Sequence, residues 1–90
     1  MITTDELKVQ LAEYHTAVKD LEEALAIDAS RKRVQELEHT MSRPGFYDDA
    51  ELSKKVFDEV GDLKGKLNRF EKLQGLYDDA ETMLVMLDEE

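Results

Sequence analysis

The sequence predicts an all-α protein, a long antiparallel helical hairpin of three coiled-coil-like helices at about residues 4–26, 28–41 and 50–88. Three observations predict it. Apolar residues recur at steps of three and four over most of the chain, the spacing of a helix seam. Charged residues make up 38% and apolar residues 41% of the 90 residues, a balance that suits two-faced helices better than a thick core. The only proline falls in one short stretch, MSRPGFYDD at residues 41–49, together with a glycine and two of the six aromatics. That stretch divides the helical sequence in two.

The first helix opens at Thr3 or Thr4. Thr3 with Glu6 three residues later is a capping-box signature, in which the hydroxyl takes a free N–H of the first turn. Leu7, Leu11, Tyr14, Val18, Leu21 and Leu25 then follow in a coiled-coil seam. Glu13, His15 and Thr16 fall off this seam and read as solvated. In the second helix Ile27, Val34, Leu37 and Met41 form another seam, out of phase with the first because Leu25 to Ile27 is a step of two. A break is expected there, with Asp28 as the cap of the new helix. A single kinked helix is the other arrangement, since no Gly or Pro separates the two.

The second helix must stop by Ser42, because the residue before a proline is pushed out of the helical region. Arg43-Pro44-Gly45-Phe46 suits a type II turn, with Pro second and Gly third. Asp48, with Glu51 three residues on, is the expected cap of the third helix. That helix carries Leu52, Val56, Val60, Leu63, Leu67 and Phe70 on one seam, continued by Leu73, Tyr77, Ala80, Leu84 and Leu87. Two adjacent steps of three at Leu67–Phe70–Leu73 make a stammer. With Gly75 close behind, a bend or break is expected between about 70 and 76. Gly61, Gly65 and Gly75 each cost the helix ~1 kcal/mol relative to Ala; they either admit another helix closely or lie on the exposed side.

By length, the second helix can cover only the first half of the third, and the first helix is the natural cover for the second half. A compact three-helix bundle is the alternative. A two-layer hairpin leaves apolar edge exposed, which implies self-association or a further helix. Phe46 and Tyr47 are expected to plug the loop end.

Composition and motifs exclude much. There is no cysteine, so disulfides and thiolate metal sites are out. No apolar run approaches the ~20 residues of a membrane span, and the start, MITTDEL, lacks the basic and apolar regions of a signal peptide. A cytoplasmic location with no membrane partner is the expectation. The net charge is −10, against the basic face that nucleic-acid modules carry. The one basic run, Arg31-Lys32-Arg33, reads as a solvated helix face, with contact to a phosphate or an acidic partner as the alternative. Glu36-x-x-His39 is half of a di-iron bundle motif, which needs two such motifs and two further glutamates. No glycine-rich phosphate loop and no serine-nucleophile signature is present. Met41, Met83 and Met86 lie at or near seam positions and read as packing. No catalytic, metal or cofactor-binding residue is expected.

The segment IDASRKRVQELEHTMSRPGFYDDAE, residues 27–51, carries a more specific pattern: an Asp opening a helix (Asp28), an Arg (Arg33), Glu36-Leu37-Glu38, Met41, Pro44 two residues beyond the helix, and Phe46-Tyr47-Asp48 before the next helix. In this it resembles the N-terminal domain of bacterial class I peptide chain release factors, specifically release factor two. Tyr47 departs from the family's usual Trp but stays aromatic. The acidic helix ending LVMLDEE and the helix before Asp28 resemble the family as well, so the likeness covers essentially the whole chain.

The family's hydrolytic Gly-Gly-Gln and the codon-reading Ser-Pro-Phe of factor two do not occur in these 90 residues. The resemblance therefore implies a single helical domain, 1–90, that is an N-terminal piece of a larger protein and not itself an enzyme. It implies that the parent directs termination at UGA and UAA. It also implies that this domain docks near the ribosomal stalk base and the termination GTPase, without sequence-specific nucleic-acid binding of its own. Self-association of the isolated piece is a further expectation. The competing reading is a generic coiled-coil dimerisation or adaptor domain.

Overall fold

The computed structural model describes residues 3–89. Among them it contains α1 (Thr4–Ala24), α2 (Ile27–Met41), a 3₁₀ turn at Phe46–Asp48 and α3 (Ala50–Asp88), and no strand. The all-α class and the three helix positions are those read from the seams.

The helix ends show which local signals operate. Thr3 caps α1 by accepting the Glu6 N–H on its hydroxyl at 3.2 Å. The chain breaks after Ala24, where the seam changes phase. The break is made by backbone alone: Ala26 adopts the left-handed conformation (φ 51°, ψ 51°) directly before α2 and offers no side-chain cap. Such a conformation costs an ordinary residue ~1–2 kcal/mol. Asp28 is thus not the cap. It lies inside the first turn, exposed, where its carboxylate favours the helix N-terminus and accepts from Arg31 Nη1 at 3.4 Å.

The turn after α2 is the type II turn expected. Gly45 has φ 81° and ψ 1°, and the Phe46 N–H donates to the Arg43 carbonyl at 3.2 Å. Only a glycine takes the third position of that turn without strain. The cap of α3 is one residue later than expected. Asp48 completes the 3₁₀ turn, and Asp49 accepts the Leu52 N–H on Oδ1 at 3.0 Å. No break interrupts α3 across 70–76. The stammer shifts the apolar seam without removing a backbone hydrogen bond, and a Cβ placed on Gly75 or Gly61 would meet nothing within 4 Å. These glycines lie on open positions, and no helix approaches them.

The chain divides into two units. One, here the terminal unit, comprises Met1–Leu25 and Phe70–Glu90; the other, the central unit, is Ala26–Arg69. In the terminal unit α1 runs antiparallel to the end of α3: Lys8 Nζ pairs with Asp88 Oδ2 at 2.6 Å, while His15 and Tyr77 stack at 5.3 Å. Val18 and Phe70 are the buried apolar residues among its described residues. Leu7, Leu11 and Leu84 are half-buried, and Tyr14, Met83 and Leu87 are exposed. In the central unit Ile27, Val34, Leu37, Phe46, Val56, Val60 and Leu67 are all buried.

Charge is divided as sharply. The central unit has nine Lys+Arg and nine Asp+Glu, whereas the terminal unit has three Lys and thirteen Asp+Glu. The whole net charge of −10 therefore belongs to the terminal unit.

Candidate functional site

The loop singled out in the sequence is built around Phe46. Pro44 and Gly45 turn the chain so that Phe46 falls into a core with Leu37, Val56 and Val60, against which Met41 and Leu63 pack. Phe46 is 6% exposed, and its ring meets Phe57 edge-on at 6.0 Å and Tyr47 at 5.1 Å. Tyr47 does not share the plug: it is 67% exposed and lies against Phe57 at 6.0 Å. The 3₁₀ turn sends neighbouring side chains about 120° apart, so only one of the two aromatics can face the core.

Ser53 seals the loop from below. Its buried hydroxyl lies 3.0 Å from the Phe46 carbonyl and 2.7 Å from the Asp49 carbonyl, which also accepts the Ser53 N–H at 3.0 Å.

A charged clasp joins α2 to α3 beside this core. The Arg33 guanidinium forks onto Glu59, with Nη2 donating to Oε1 at 3.1 Å and Nε to Oε2, and also reaches Glu36 at 3.4 Å. The hydrogen bond from Arg33 holds the Glu59 carboxyl below its ordinary pKa. Glu38 and Lys64 form a longer pair at 3.6 Å. The basic run is thereby divided in role: Arg31 bonds Asp28, while Arg33 faces α3.

Of the residues marked by the sequence, Leu37, Met41 and Phe46 thus meet in one core. Arg33 and Glu36 lie in the clasp, and Glu38 pairs beside it. Pro44 and Asp48 shape the loop, Tyr47 is displayed outward, and Asp28 stands apart at the start of α2. Sequence reasoning missed Glu59, Ser53, Phe57 and Asp49. Glu59 lies 26 residues from Arg33, beyond the range of any local rule. Phe57 falls beside the seam residue Val56 and is still 43% exposed.

Glu36, Glu38 and Glu59 are partnered by Arg or Lys at the surface and Asp49 caps a helix, and none of these is set in a pocket against a second carboxylate. No group of three or more His, Asp or Glu placed to hold a metal occurs among the described residues. No helix among them is long and apolar enough to cross a membrane.

No protein-family model matches the chain, and no solved structure matches it. Curated sequences do. The chain is 36% identical to peptide chain release factor 2 of Lactiplantibacillus plantarum over 89 residues, which is 99% of this chain and 24% of that protein. It is 36% identical to peptide chain release factor 2 of Acholeplasma laidlawii over 75 residues, 83% of this chain and 20% of that protein. With the factor of Mycobacterium avium it shares 29% identity over 83 residues, 92% of this chain and 22% of that protein. The chain spans about a quarter or less of the curated relatives it matches. Along almost its whole length, loop and clasp included, it matches a segment of peptide chain release factor 2.

Proposed function

We propose that this chain is a docking and positioning module of a peptide chain release factor that directs termination at UGA and UAA. The observation that carries the reading is the 36% identity that extends over 99% of the chain. The build of the loop supports it, since Leu37, Met41, Pro44 and Phe46, all part of the family's pattern, act together as one structural joint. In this reading the chain is one helical domain from the N-terminal part of a larger cytoplasmic factor. Codon reading and hydrolysis belong to other parts of that factor, because neither Gly-Gly-Gln nor Ser-Pro-Phe lies in these 90 residues. The module's partners are the ribosome, near the stalk base, and the termination GTPase.

The test is a chimera in which these 90 residues replace the matching segment of the Lactiplantibacillus plantarum factor. Codon-dependent peptide release is then measured on ribosomes of that organism. The chimera should retain most of the parent's release at UGA and UAA and give none at UAG, while the 90-residue chain alone releases nothing. A soluble, folded chimera without release activity would contradict the proposal.

A further inference from the structure

The loop that buries Phe46 fixes the next residue outward. Tyr47 is 67% exposed, and Phe57, on which its ring lies at 6.0 Å with a tilt of 35°, is 43% exposed. Two aromatic rings thus share one surface beside the end of the central core. The elements that hold them there are firm. Gly45 fixes the turn, and the Ser53 hydroxyl donates to the Phe46 carbonyl at 3.0 Å. Phe46, edge-on to Tyr47 at 5.1 Å, is itself anchored with Leu37, Val56 and Val60. A rigid aromatic displayed in this way offers a large contact area and loses little conformational freedom when a partner covers it.

The charges around the pair select the kind of partner. From residue 43 to residue 51 the loop holds one cation, Arg43, against the carboxylates of Asp48, Asp49 and Glu51. Asp49 is committed to the Leu52 N–H at 3.0 Å, whereas Asp48 and Glu51 are exposed. The cations one and two turns along α3 from Phe57 are already held, Lys54 by Asp58 at 2.8 Å and Lys64 by Glu38 at 3.6 Å. Lys55, two residues before Phe57, falls on the other side of the helix. A nucleic-acid strand stacked on these rings needs uncommitted Lys or Arg beside them for its phosphates, and the surroundings are acidic instead. A guanidinium fits both features, because it stacks on an aromatic face and is drawn to carboxylates. We infer that Tyr47, backed by Phe57, is the residue by which the module docks on a basic protein surface of the ribosome. An arginine of that surface stacks on the Tyr47 ring, and Asp48 and Glu51 meet its charge. The inference rests on the release-factor reading and adds to it the contact residue and the chemistry of its partner.

The test uses the chimera with the Lactiplantibacillus plantarum factor. Tyr47→Ala should raise the factor concentration needed for half-maximal release by about tenfold, the cost of truncating a central aromatic contact, and leave kcat unchanged. Tyr47→Trp keeps a flat aromatic face and should stay within about twofold of the unaltered chimera. Asp48→Lys reverses a charge beside the ring and should weaken docking in the same sense as Tyr47→Ala. Circular dichroism confirms that each variant remains helical. Tyr47→p-benzoylphenylalanine, irradiated on terminating ribosomes, should attach to a ribosomal protein at a segment that carries arginine. An unchanged half-maximal concentration for Tyr47→Ala, with the unaltered chimera active, would overturn the inference and leave the release-factor reading standing. So would a crosslink to ribosomal RNA or to another part of the same factor. A folded, unaltered chimera without release would overturn both.

Discussion

The two units of this chain are made of the same material, amphipathic helix with heptad-like seams, and reach different ends. In the central unit seven apolar side chains are buried, two buried serines are present, and the charges balance. Among the described residues of the terminal unit two apolar side chains are buried and most of the seam stays open, and the unit's charge is −10. The difference begins in the loop. A bare pair of helices buries only the line where they touch. The central unit adds Phe46 from the 3₁₀ turn, which caps the end of that line and turns it into a core. Among its described residues the terminal unit has no such cap. A periodic seam is thus necessary for a buried core but does not suffice for one.

The largest expected effect follows from this. Phe46→Ala should cost about 3–5 kcal/mol, the usual loss for a buried aromatic, measured by urea denaturation. Tyr47→Ala, one residue away but exposed, should cost under about 1 kcal/mol. Comparable losses at the two positions would mean that both aromatics plug the loop.

Next in size are the cap and the open glycines. Asp49→Ala should cost about 1 kcal/mol, as loss of an N-cap does, and Asp48→Ala clearly less; the reverse order would return the cap to Asp48. Gly61→Ala and Gly75→Ala, one in each unit, should each gain up to about 1 kcal/mol, because the added Cβ meets nothing. A loss at either position would reveal a packed surface there.

A smaller effect lies in the clasp of the central unit. The hydrogen bond from Arg33 lowers the pKa of Glu59 in the folded chain. Its stabilisation is present above the ordinary unfolded value, roughly 4.3, and is lost as pH falls through the folded value. Acid should therefore weaken the central unit at this clasp, and Glu59→Gln should remove that part of the dependence. Local stability followed by amide exchange between neutral pH and the carboxylate range reads this trend.

Much of this was legible in the sequence. The steps of three and four gave the helices, and the step of two at Leu25–Ile27 gave the break. Pro44-Gly45 gave the turn type, because those residues restrict backbone angles directly. What was not legible depended on tertiary position or on a one-residue shift. Asp48 and Asp49 are chemically identical cap candidates, and only the 3₁₀ turn decides between them. Ala26 has no propensity for the left-handed conformation it adopts, so the residue itself announced nothing and Asp28 drew the assignment. Glu59 became a partner of Arg33 only once α3 folded against α2. The family pattern was readable at Arg33, Leu37 and Phe46, yet the reason for each residue, clasp or core, came from the structure.

The central claim is that the central unit is held by its own core while the terminal unit, with a thinner core, also bears the repulsion of its surplus carboxylates. Amide hydrogen exchange, resolved by residue and compared at about 0.02 M and 0.5 M salt, tests it most directly, since the higher salt shortens the screening length severalfold. The account predicts strong protection in α2 and the first part of α3 at both salts. In α1 and the last part of α3 it predicts weaker protection that rises clearly with salt. Uniform protection along the chain, with no salt response confined to the terminal unit, would contradict it.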